Sequence, residues 1–131
     1  MNSKELLNAY RTAVIELEEL ETQLARVGTD GRPSAAGGSI MGNSRGTNNG
    51  AAAALQLAEG IEARIARKRE ELAALSGPIG LLMAGIADIR TYLVVQHYYL
   101  MAESDYLIAH QMQMSQSRVN QMRREYLRQA S

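Results

Sequence analysis

Between Leu6 and Val27, apolar residues recur at alternating spacings of four and three: Leu6, Tyr10, Ala13, Leu17, Leu20, Leu24 and Val27. That spacing draws one stripe along a helix and fits no strand, whose side chains alternate every second residue. A second stripe runs through Ala51, Ala54, Ala58, Ile61, Ile65, Leu72 and Leu75, interrupted by Lys68. Each segment holds roughly 25 residues, or about 37 Å of helix. Ser3 reads as the N-cap of the first helix and Gly28 as its end. Residues 28–50 are rich in Gly, Ser and Asn, and such a composition buries too little apolar area to order itself. The expected arrangement is an antiparallel coiled-coil helical hairpin with a flexible loop at 28–50. Pairing within one chain and pairing between two chains both satisfy the pattern.

Composition agrees with an all-α fold. Phe and Trp are absent and the aromatics are six Tyr, so Ala, Leu, Ile, Val and Met must supply the core. The absence of Cys excludes disulfides, thiolate chemistry and zinc fingers, and suits a reducing cytoplasm. The N-terminus carries no apolar run of signal-peptide length, and the apolar stretch Ile79–Ile86 is too short to span a membrane. Ser76-Gly77-Pro78 is expected to break or kink the second helix, with Leu81–Ala87 resuming it. The domains expected are therefore the hairpin, 1–87, and a C-terminal domain, 88–131.

Residues 105–124 have the pattern of a helix-turn-helix. Ile108, Met112, Met114, Val119 and Met122 face inward on both sides of a tight turn, and Ala109 is the small residue that permits a close crossing. Gln113 occupies the turn position that requires a left-handed backbone, at a cost of about 1–2 kcal/mol for a residue other than glycine. Ser104 caps the first helix and Ser115 the second, while Arg90–Met101 packs behind as a supporting helix. The outward residues of the second helix are of the types that hydrogen-bond base edges or phosphates. Gln116, Ser117, Asn120 and Gln121 are expected at the bases, with Arg118, Arg123, Arg124 and Arg128 mainly on phosphates; Ser115, the cap, is counted with them among the DNA-binding residues. Glu125 is the single acid of this helix, where a solvated helix more often alternates Glu and Lys.

Formal net charge is zero, but its distribution is uneven. Residues 90–131 carry five arginines against three acids, a surplus of two, whereas residues 1–27 carry three cations against five acids. The sign suits duplex DNA as the partner of the C-terminal half. So few phosphate contacts bind weakly in one copy, so a homo-oligomer is also expected. Catalysis finds no footing. His97 and His110 are thirteen residues apart, which fits no single-face metal pair, and no serine lies in a nucleophile motif. The chain is expected to be no enzyme and to need no cofactor.

From Tyr99 through Leu127 the chain resembles the fourth conserved region of bacterial sigma factors and the phage proteins built on it. The matching residues are Tyr99, Ser104, Ile108-Ala109, Met114-Ser115-Gln116-Ser117-Arg118-Val119 and Arg123-Arg124. Tyr98 stands where those proteins have arginine, and Ala102 and Gln113 where they have glycine. Across the chain, a helix, a Gly/Ser-rich stretch, a second helix and this unit resemble the small phage transcriptional activators of the RinA and ArpU kind. The resemblance implies a phage or prophage regulator acting in a bacterial cytoplasm, with host RNA polymerase as a further partner. The alternatives that the residues leave open are a coiled-coil assembly protein and a phage DNA-packaging recognition subunit.

Overall fold

A computed structural model describes the backbone of residues 1–36 and 44–130 and the side chains of 1–27 and 50–130. The described residues form α1 (Ser3–Ala36), α2 (Ser44–Ala84), α3 (Ile89–Val95), α4 (Asp105–Met112) and α5 (Gln116–Ala130), with one π-helical turn, Gln96–Leu100, directly after α3. No strand occurs among them, so the fold is all-α.

The expected loop at 28–50 is shorter than the sequence suggests. Helix continues past Gly28 to Ala36 and starts again at Ser44, and the remainder of that loop, 37–43, lies outside the described residues. Extending an existing helix avoids the cost of nucleation, and one glycine costs only about 1 kcal/mol, too little to act as an obligatory stop. The start of α1 also differs. Asn2, not Ser3, is the cap: its Oδ1 accepts the Glu5 N–H at 2.8 Å, and its own amide donates to the Glu5 carboxylate at 3.1 Å. Ser3 instead donates its hydroxyl to the Ala130 carbonyl at 3.2 Å.

Two compact units divide the chain, Met1–Ile15 with Glu70–Ser131, and Glu16–Arg69. A boundary at 87/88 would therefore run through the interior of the first unit. The reason is the core. Val95 and Tyr99 are covered by Leu7 from α1 and by Ile79 and Met83 from α2, so the core around these two residues is not closed by residues 88–131 alone. Within Glu16–Arg69, α1 and α2 run in opposite directions: Glu16 pairs with Lys68 at 2.7 Å, while Leu24 lines a groove with Glu62 and Ile65. Ile61 and Ile65 are buried there, and Leu17, Leu20 and Leu24 are half-buried. Lys68, the interruption in the second stripe, is explained by its ion pair with Glu16.

Pro78 lies inside α2, which runs unbroken to Ala84 where a break was expected. Proline costs a helix interior about 3 kcal/mol, but fully burying one large apolar side chain returns about 1.5–3 kcal/mol. Pro78 is exposed, whereas its neighbour Ile79 and then Met83 are buried in the core of the first unit, so packing wins. Ser76 helps locally, its hydroxyl meeting the carbonyls of Leu72 at 3.0 Å and Ala73 at 2.9 Å. The helix then ends three residues before the expected Ala87, because Asp88 begins α3 by accepting the Thr91 N–H and hydroxyl.

The expected helix Arg90–Met101 is divided into α3 and the π-helical turn Gln96–Leu100, whereas from Ser104 onward the caps and the turn are those expected. Ser104 caps α4 through the Leu107 N–H at 3.2 Å. Gln113 ends α4 in the left-handed conformation, φ 56° and ψ 49°, and Ala102 has φ 55° in the preceding turn. A second core joins Val94, Ile108, Ala109, Val119 and Met122, with Met112 and Met114 packed at its edge. Gln113→Gly is expected to raise stability by about 0.5–1 kcal/mol in urea denaturation, since relief of left-handed strain exceeds the entropy that glycine adds to the unfolded chain. A variant no more stable than the parent would show that Gln113 is unstrained.

Candidate nucleic-acid interface

Helix α5 is positioned by its cap and by its buried stripe. The Ser115 hydroxyl oxygen accepts the Arg118 N–H at 3.1 Å, and the Ser115 carbonyl accepts from Val119 at 3.1 Å. Val119 and Met122 are pressed against Val94, Ile108 and Ala109. With that stripe inward, Gln116, Ser117, Arg118, Gln121, Arg124 and Arg128 are exposed and Asn120 is half-buried. Six of the expected contact residues line one open groove: Gln116, Ser117, Asn120, Gln121, Arg124 and Arg128, together with Asp105 and Glu125.

Three expected residues stand apart from that groove. Ser115 remains exposed, but its oxygen is engaged as the cap. Arg118 lies outside the groove lining, about 120° around the helix from Arg124 at 3.6 residues per turn. Arg123 was expected on phosphate and instead turns inward. Its guanidinium meets Asp105 at 2.8 Å with only 12% of its side chain exposed, and it lies 3.8 Å from the centre of the Tyr98 ring. Burial opposes its charge, but the interactions with Asp105 and Tyr99 outweigh that effect and hold it firmly protonated. Burial also raises the Tyr99 phenol, with Arg123 acting against the shift.

Tyr98 is the hub of this arrangement. Arg11, near the start of α1, sits 4.0 Å from the same ring centre. Two guanidiniums cannot both stack that closely over one face, so the ring is held between them. Tyr99 meets Tyr98 edge-on at 4.8 Å and is itself buried. The π-helical turn lets these neighbouring residues both face inward, and His97 steadies its exit through a 2.6 Å contact with Glu103. Sequence reading missed Asp105, Tyr98 and Arg11, since they lie 18, 25 and 112 positions from Arg123 and no local pattern links them.

Chemically, the groove offers amide, hydroxyl and guanidinium groups. The Asp105 charge is matched by Arg123, and Glu125 accepts from Gln121 at 3.2 Å. No His, Asp or Glu cluster fit for a metal ion occurs among the described residues, and no helix among them is long and apolar enough to cross a membrane. Compared with models of protein families, with curated proteins and with solved structures, the chain matches none.

The two neighbouring arginines should separate cleanly. Arg123→Ala leaves Asp105 without its cation in a half-buried position and is expected to cost about 3 kcal/mol in chemical denaturation. Arg124→Ala removes an exposed side chain and is expected to stay within about 0.5 kcal/mol of the parent. Equal effects would contradict the inward assignment of Arg123.

Proposed function

We propose that this protein is a sequence-specific DNA-binding transcriptional regulator that reads duplex DNA with α5. The observation that carries the reading is the outward face of that helix, where Gln116, Ser117, Asn120, Gln121, Arg124 and Arg128 line one groove. Amides and hydroxyls discriminate base edges in the major groove, and arginines bind phosphates or guanine. Arg118, Arg124 and Arg128 are exposed, and none is held in an ion pair among the described side chains. The resemblance to sigma region 4 and to RinA and ArpU activators extends the reading to a phage or prophage regulator in a bacterial cytoplasm, working with host RNA polymerase.

Salt dependence distinguishes one bound copy from two. Three phosphate contacts give a log–log slope of about −2.7, or a loss of about 40-fold between 50 and 200 mM salt. Two copies on one site double the slope and raise the loss to more than about 1,000-fold. Fluorescence anisotropy with random-sequence duplex DNA is expected to show binding that weakens with salt, and an Arg124→Ala variant with a slope shallower by about 0.9. Absence of binding at the lowest salt would refute the reading and favour the hairpin as the working surface of an assembly protein.

A further inference from the structure

The two flanks of α5 differ. Arg123 closes one by turning into the fold, while Arg118 stands on the other, where α3 packs against α5. Val94 of α3 shares a core cluster with Val119, the residue after Arg118. Arg90 precedes Val94 by four positions, so it lies one turn nearer the start of α3 on the same side of that helix. Both arginines are exposed, and neither is held in an ion pair among the described side chains.

Asp88 is an acid within reach of both arginines, and Glu125 lies about two turns further along α5 from Arg118. Asp88 is committed to the Thr91 N–H and hydroxyl, and Glu125 to the Gln121 amide. The Asp88 carboxyl is held below its ordinary value, first by those Thr91 bonds and then by the charges of Arg90 and Arg118, which places both cations within electrostatic reach of the α3 cap.

We propose that Arg90 is a further DNA-contacting residue, which with Arg118 forms a cationic edge beside α5 that binds the phosphate backbone. A helix lying in the major groove has a phosphate strand on each side. Arg124 and Arg128 on the exposed face and the Arg90–Arg118 edge then contact backbone at separate places. The edge fixes how α3 lies against the duplex and carries no base preference of its own. This inference rests on the DNA-binding reading of α5.

The test is the full-length chain in a salt series against random-sequence duplex DNA, comparing parent, Arg90→Ala, Arg90→Lys and Arg26→Ala. Arg26 is an exposed cation of α1 in the other compact unit, and its removal controls for net charge. Arg90→Ala is expected to weaken binding by about 3- to 10-fold on every sequence and to make the salt slope shallower by about one per bound copy. Arg90→Lys keeps most of the slope, and Arg26→Ala binds as the parent does. Circular dichroism should be unchanged, because Arg90 is exposed. Parent binding that Arg124→Ala weakens and Arg90→Ala leaves intact would overturn this inference alone. A parent that binds no duplex would overturn it together with the reading on which it rests.

Discussion

The ion pair between Asp105 and Arg123, laid on the ring of Tyr98, is the interaction on which the candidate interface depends. It joins the first residue of α4 to the middle of α5 and to the π-helical turn, and Arg11 brings in the start of α1 from beyond the ring. Helix α5 packs through Val119 and Met122 on one core and through Tyr126 and Leu127 against the other. The charge pinned at Arg123 adds a polar fixed point to that packing, with the groove-lining residues from Gln116 to Arg128 on the open side. Half-buried charges are costly unless paired; here the Arg123 guanidinium meets one Asp105 oxygen and lies against the Tyr98 ring, while the second Asp105 oxygen and the Arg123 Nε stay buried without a hydrogen-bond partner.

A consequence is that the C-terminal helices share one of their two cores with the ends of the long helices. Tyr99 and Val95 need Leu7, Ile79 and Met83 as cover, and Ser3 bonds the Ala130 carbonyl at the far end of α5. The ends of the two long helices thus belong to the same compact unit as α5. The turns tell a related story. Gln113 and Ala102 both hold left-handed backbone without being glycine, a local cost that the Val94–Ile108–Val119 core more than offsets.

Many features governed by local pattern were legible in the sequence: the caps at Ser104 and Ser115, the left-handed Gln113, the apolar spacing of Ile108, Val119 and Met122, and the all-helical class. The cap of α1 was not, because Asn2 takes the place expected of Ser3. Helix limits were less legible, because the penalty of Pro78 is similar in size to the packing of Ile79 and Met83 that overrides it, and that of Gly28 is too small to stop a helix already formed. The unit boundary escaped for a tertiary reason: the stripe on α1 reads as one seam, yet Leu7 and Tyr10 cover the core around Tyr99. Arg123 was misassigned for the same kind of reason. On a helix facing solvent it looks like its neighbour Arg124, and only the fold brings Asp105 and Tyr98 to it.

Under the proposed reading, the groove on α5 and the basic edge beside it together offer a chain of zero formal net charge one surface for a polyanion. Favourable charge is concentrated on one helix and its flank, while the acids there are held by Arg123, Thr91 and Gln121. The measurement that tests this most directly is a two-dimensional amide NMR titration of the full-length protein with a short duplex. The account predicts that shifts concentrate in residues 115–128 and around Arg90, with residues 16–27 and 55–69 unmoved. Shifts confined to the hairpin, or none at all, would contradict it.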